Sequence, residues 1–246
     1  MKVYVLAIAA AMMLVCAAGA FAYPTIDTGA TGVVALPTAE ITPQGTLELA
    51  VDHQHGPYDW DVALTRASWG VAKNLELNVS HARWSRQNYW DEIDQGGLKY
   101  QIPMDFANVA IGASFGRDKW ASYEADATKV YLAVSKELPV TSSVSARLTA
   151  GGLYTRWDGD LNNVFEFTKP YATLELMLGR GVMLGVEYRE RDDDWDLGGE
   201  PISTVLRITS QEKPVWVEVG TTNMSWAGES WGNQRGFIGI GFALGD

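Results

Sequence analysis

Cysteine is nearly absent: the 246 residues hold one, Cys16. It lies in an N-terminal run that opens with Lys2, continues as the apolar stretch 3–15 and closes with Ala20, Phe21 and Ala22 before Tyr23. A positive start, an apolar centre and an A-x-A site predict a secretory signal peptide over residues 1–22. Val15 stands where a lipidated cysteine needs a small residue, which excludes a lipoprotein. With Cys16 in the leader, no disulfide is available to staple the exported fold.

Three further shortages narrow the function. Lys and Arg number 19 against 30 Asp and Glu, a net charge of −11. Such a chain lacks the positive surface that phosphate backbones require, so nucleic acid is not a partner. After the leader no stretch approaches the roughly 18 apolar residues of a transmembrane helix. If the chain spans a membrane, it does so as a β-barrel. Histidine is the third: three residues limit both metal and acid–base chemistry.

What the sequence has is alternation. In "QGTLELAVDH" Leu47, Leu49 and Val51 share one side of an extended chain, while Glu48 and Asp52 share the other. The period of two recurs about every 15 to 20 residues to the C-terminus, which predicts strands. Val62 and Leu64 are read as outward, opposite Asp61, Ala63 and Thr65. Leu75, Leu77 and Val79 oppose Glu76, and Leu98, Tyr100 and Ile102 oppose Lys99. The last strand sets Ile238, Ile240 and Phe242 against Arg235, Gly239 and Gly241. Twelve such strands are counted, with no helical period and no linker between them, so residues 23–246 read as one domain.

Alternation suits a soluble sandwich as well as a membrane barrel, and the connections separate the two. Brief turns such as "PMDFA", "ELPVTS" and "GRG" alternate with the long "RWSRQNYWDEIDQG", "GRDKWASYEADA", "RWDGDLNNVF", "ERDDDWDLGGE" and "TTNMSWAGESWGNQ". Short and long connections sorted by parity along an even number of strands fit an outer-membrane barrel. Closure also removes the two edges that an open meander would expose. The predicted fold is therefore all-β: a transmembrane, antiparallel, up-and-down barrel of about twelve strands.

On that reading the lumen holds about one charge per strand: Glu48, Glu76, Lys99, Lys129, Arg147, Glu175, Glu187, Arg207, Glu218 and Arg235. Neighbouring strands often carry opposite signs. Glu76 is expected beside Lys99, Arg147 beside Glu175, Glu187 beside Arg207, Arg207 beside Glu218, Glu218 beside Arg235, and Arg235 beside Glu48. A ring of one sign would select ions. Interleaved signs instead predict a crowded interior with charges paired across it. Before the first strand, residues 23–43 include "TGATGVVALPTAEITP" and show no alternation. This segment either plugs the lumen or hangs in the periplasm; Val33, Val34, Ala35 and Leu36 need burial, which favours the plug.

The same region carries a resemblance. "TGVVALPTAEITPQGTLELAVDH", "WGVAKNLELNVS" and "GGLKYQIP" resemble the YjbH-like outer-membrane barrel proteins associated with exopolysaccharide secretion, mainly over residues 28–102. The matching positions are Thr31, Gly32, Pro37, Thr38, Ala39, Pro43 and Gly45. The resemblance implies an outer-membrane barrel with a role near polysaccharide export and no catalytic residues to carry over. This chain is shorter than the multi-domain members.

Candidate chemistry lies in the connections. Trp90, Trp120, Trp157, Trp195, Trp226 and Trp231 sit among acids that include Asp158 and Asp160. Indole planes beside carboxylates can stack sugars and bond their hydroxyls, and acidic clusters can take divalent cations. An interfacial aromatic belt with solvated acids explains the same residues without a ligand. His53 and His55 share a face but show no third metal ligand, and His81, near Ser80 and Ser85, has no His-x-Ser motif. No cofactor or metal is expected, and the chain reads as a non-enzyme. It is expected in the bacterial outer membrane, in contact with its lipid, as a structural or transport-associated envelope component that touches polysaccharide or divalent cations at its Trp/Asp connections. The alternatives are a narrow diffusion pore for small solutes and a lipid-modifying barrel enzyme using His81 or the His53/His55 pair.

Overall fold

The computed structural model describes residues 23, 25, 29–56, 60–86, 89–120, 123–160, 163–179, 181–193, 199–210, 213–224 and 230–245. The expected signal peptide, and Trp195 and Trp226, lie outside them. Twelve strands follow in order: β1 (Leu47–Gly56), β2 (Trp60–Ala72), β3 (Leu75–Arg86), β4 (Tyr89–Pro103), β5 (Asn108–Trp120), β6 (Tyr123–Thr141), β7 (Val144–Gly159), β8 (Asn163–Leu178), β9 (Val182–Arg189), β10 (Ile202–Thr209), β11 (Val215–Met224) and β12 (Ser230–Leu244). Each pairs antiparallel with the next, and β1 pairs with β12 from Leu47↔Leu244 to His55↔Gly236. The sheet is a closed barrel with no free edge.

The apolar sets expected to face lipid are the exposed ones: Val51, Leu77, Leu98, Ile111, Leu132 and Ile240 all stand outward. The wall inverts the usual soluble arrangement, as a barrel in lipid requires. One strand reverses the expectation. On β2, Val62 and Leu64 are buried inside, with Arg66 and Ser68, while Ala63 and Thr65 face out. Register decides this, because directly opposite residues share a face. Leu49 faces out and so does its partner Ala67; Glu48 faces in and so does its partner Ser68.

The connection lengths also differ from the expectation. β3 and β4 are separated only by residues 87–88, β5 and β6 by 121–122, and β7 and β8 by 160–162. Most of three "long connections" is strand, continuing beyond the apolar band as polar hairpins. Cross-strand pairs such as Arg83 with Glu92 and Arg117 with Asp126 occupy both strands there. There the pattern reverses, with charged residues outward and Trp84, Ile93 and Ala125 inward, so a search for apolar residues on the outer face sees no strand. The long connection that remains joins β9 to β10 over residues 190–201.

Inside, side chains fill the barrel in two zones. Near the short-turn end, where β2 turns to β3 and β10 to β11, the lining is charged. Toward the other end large apolar side chains enter, with Val62, Leu64, Trp84, Ile93, Leu153 and Phe237 each buried beside Gln54, Asp118, Arg189 and Arg235. Large rings fit because glycines face them. Tyr171 lies opposite Gly151, and Trp216 opposite Gly241, with each ring close enough that a Cβ on the glycine would strike it. An aromatic over a glycine keeps the wall thin while filling the space behind it.

Candidate functional site

The N-terminal segment meets inward side chains from ten strands around the barrel, β2 to β11. Residues 29–39 are all buried, as is Thr42. Gly32 and Pro37 bridge as a miniature hairpin, closed by Thr38 N–H to the Thr31 carbonyl (3.1 Å) and Val33 N–H to the Leu36 carbonyl (3.2 Å). The hairpin leaves three backbone N–H groups at its tip. All three donate to one carboxylate, Glu187 of β9: Val34 at 3.0 Å, Ala35 at 2.7 Å and Leu36 at 3.1 Å. Beside them Arg207 of β10 donates to the Val33 carbonyl at 2.9 Å. Buried N–H groups without acceptors are costly, so Glu187 fixes the tip.

The base is tied at the opposite wall. Glu76 of β3 accepts from Thr31 N–H (3.0 Å), Thr31 Oγ1 (2.9 Å) and Thr42 N–H (2.9 Å), which pins both ends of the loop to one side chain. Lys99 Nζ donates to the Thr31 carbonyl at 2.8 Å and to its hydroxyl. Ala39 N–H reaches Ser135, Gln101 donates to the Ala39 carbonyl, and Tyr171 O–H donates to the Pro37 carbonyl. At the wall, Gly70 pairs with Gln44 and admits the backbone of residues 42–43 where a Cβ would collide. Tyr23 packs edge-on to Trp216 (5.1 Å), lies under the Arg207 guanidinium (3.9 Å) and shares a 2.6 Å hydrogen bond with Thr209.

All ten charges read from the alternation face the interior. Their partners are less uniform. Arg147 pairs with Glu175 as expected, at 3.3 Å, and also meets Glu40 of the segment at 3.5 Å. Arg207 pairs with Glu218 at 2.7 Å. Glu76 and Lys99 are direct cross-strand partners, but both bond Thr31. Register separates the other three expected pairs: Glu187 faces Ser203, Glu218 faces Gly239, and Glu48 faces Ala243. Arg235 instead donates to the Met224 carbonyl and lies 5.0 Å over the Trp84 ring. Lys129 is buried.

Arg66 is the residue the sequence reading missed. Its Nε meets Asp52 at 2.7 Å and its Nη2 meets Glu218, forming the chain Asp52–Arg66–Glu218–Arg207 across β1, β2, β11 and β10. The signal was the period of two from Val62 through Leu64 to Arg66, read on the wrong face. Arg189, also buried, lies 5.0 Å over Phe167.

Of the expected sugar contacts, Trp157, Asp158 and Asp160 have described side chains, and each is engaged within the protein. Trp157 stacks on Phe165, with centroids 5.3 Å apart and planes at 17°, so that face of its indole is covered. Asp158 pairs with Arg156 at 3.3 Å, and Asp160 accepts from Glu124 N–H at 3.0 Å. Trp90, Trp120 and Trp231 lie at strand ends, with side chains outside the description. His53 and His55 both reach Asp61, at 3.3 and 2.9 Å. Among the described residues no group of three or more His, Cys, Asp or Glu is placed to hold a metal ion. His81 stands on the outer wall 2.8 Å from Asp94, whereas Ser80 faces the lumen.

No family model matches the chain, and no curated protein does. Solved structures do. The chain is similar to the outer membrane protein Omp33 of Acinetobacter baumannii, with a TM-score of 0.53 at 9% identity over 82% of this chain and 100% of that one. It is similar also to the NanC porin, with a TM-score of 0.54 at 11% identity over 80% of this chain and 100% of that one. At those identities the likeness is one of fold, and the fold is that of a bacterial outer-membrane β-barrel.

Proposed function

We propose that the protein is a closed outer-membrane barrel, a structural or transport-associated envelope component, and not a standing pore. One observation carries this reading: the hairpin of residues 31–38 is held across the lumen by Glu187 at its tip and Glu76 at its base. Two features support it further. Glu76, Lys99, Arg147, Glu175, Glu187, Arg207 and Glu218 bond one another or the segment, and the lumen charges are of mixed sign, not a ring of one sign to attract ions. The far half of the interior is filled by large buried side chains, among them Trp84, Ile93, Leu153, Arg189 and Phe237.

A place near polysaccharide export rests on the resemblance of residues 28–102 to the YjbH-like barrels. The solved relatives support a porin-like fold in general. A gene deletion tests the role. Secreted polysaccharide is expected to fall while uptake of small hydrophilic solutes stays unchanged. The reverse pattern, unchanged polysaccharide with slower uptake, would make the protein a narrow diffusion pore.

A further inference from the structure

The lumen uses neither His81 nor Asp94, which sit on the opposite face of the wall. Register places Thr65 of β2, His81 of β3 and Asp94 of β4 directly opposite one another, in one row across three strands. His81 Nδ1 lies 2.8 Å from Asp94 Oδ1, and both side chains are about half exposed, at 49% and 64%. All three line one groove on the outer wall, of about 750 Å³. With Nδ1–H donating to Asp94, Nε2 is the basic nitrogen and remains available to the groove. Hydroxyl, imidazole and carboxylate stand in the order of the relay that activates an oxygen nucleophile, with His81 hydrogen-bonded to Asp94 and Thr65 beside it as its cross-strand partner.

The groove's depth selects the substrate. One outward step toward the short-turn end, the three strands carry Ala67, Val79 and Gly96; one step the other way they carry Ala63, Arg83 and Glu92. The row therefore marks the border of the apolar band. A bilayer lipid holds its ester carbonyls at that border, between acyl chains and headgroup. Leu49, Val79 and Phe115 form an apolar wall for a chain, and Gly96 adds no side chain to obstruct it. Arg117, held by Asp126 at 2.8 Å, stands at the polar edge, where a headgroup phosphate would lie.

We propose that Thr65, His81 and Asp94 hydrolyse acyl esters of outer-leaflet lipid. Thr65 Oγ1 attacks the ester carbonyl carbon as His81 Nε2 takes the hydroxyl proton. The tetrahedral adduct collapses, the bond to the lipid alcohol breaks, and His81 returns the proton to the departing oxygen. Water, deprotonated by the same Nε2, then releases the fatty acid from Thr65. Ester and water become acid and alcohol, with no redox partner. Asp94 is a positioning residue that fixes the imidazole tautomer. The expectation of a non-enzyme looked for a motif along the chain, and this row exists only through register.

Acylated glycerophospholipid and acylated glucosamine lipid present the same ester, so the full-length protein is assayed on each. Detergent micelles of dioleoylphosphatidylethanolamine form one arm and hexa-acylated lipid A the other, with free fatty acid read by mass spectrometry. Release on one arm names the source. H81A and T65V are expected to lower release at least ~100-fold, D94N to lower it less, and T65S to retain it. T65S, but not T65V, should also be labelled at residue 65 by a fluorophosphonate. Heat-modifiable gel migration shows that each variant is folded. No release on either substrate, or unchanged release in H81A or T65V, overturns the proposal.

Discussion

Single residues inside the lumen carry unusual weight, because each charge there is away from bulk water and must be matched by a specific partner. Arg66 is the clearest case, bonded to Asp52 and Glu218 at once. R66M is expected to leave two carboxylates facing each other, at a cost of about 3–5 kcal/mol. The urea midpoint of the lipid-reconstituted protein would show it; an unchanged midpoint would remove the Asp52–Arg66–Glu218 chain from the core. Glu187 bears on the segment instead. E187A strips the acceptor from three N–H groups, a loss on the order of 3 kcal/mol, while E187Q keeps one oxygen and should lose less. Equal midpoints for E187A and the parent would mean that the tip is held by something else. At this scale the sequence was informative about identity and poor about pairing. The ten inward charges were legible, because a charge on the lipid side of a strand is excluded. Register was not, since nothing along the chain says that Glu187 sits opposite Ser203 and not Arg207.

Among elements, β2 shows where periodicity fails. Val62 and Leu64 are apolar, yet they belong to the far zone of the interior, and the outward face opposite them offers only Ala63 and Thr65. A strand whose two faces are both weakly marked takes its orientation from its neighbours. The hairpin ends of β3 to β8 were misread for a related reason: above the apolar band the outer face is charged, and apolar residues such as Trp84 and Ile93 turn inward. The N-terminal segment depends on gaps in the wall such as Gly70, where any side chain would meet the carbonyls of Thr42 and Pro43. G70A is expected to unseat residues 42–43 and loosen the hairpin beyond them. A cysteine placed by A35C, in a chain whose one natural cysteine is Cys16, reports this by reaction with a water-soluble maleimide. A local loss of about 1.4 kcal/mol should speed labelling about tenfold. Equal rates with and without G70A would show that the segment does not rely on that gap.

For the whole molecule, a closed sheet of twelve strands was legible because most strands had one apolar and one polar face and no other element competed. Connection length, the feature that favoured a barrel over a sandwich, proved to be the weaker clue; closure of β1 on β12 settles the matter. What could not be read was the division of labour between the two sides of the wall. Inside, the segment, the Asp52–Arg66–Glu218–Arg207 chain and the large buried side chains of the far zone fill the space. Outside, the apolar band ends at a row of polar side chains that includes His81 and Asp94. A barrel filled in this way should carry no steady ionic current. The direct measurement is single-channel recording in planar bilayers fused with liposomes that hold folded, heat-modifiable full-length protein. A baseline with no repeated current steps is expected at moderate voltage. Uniform steps of a porin's size, present in every bilayer that takes up the protein, would contradict a lumen closed by residues 31–42.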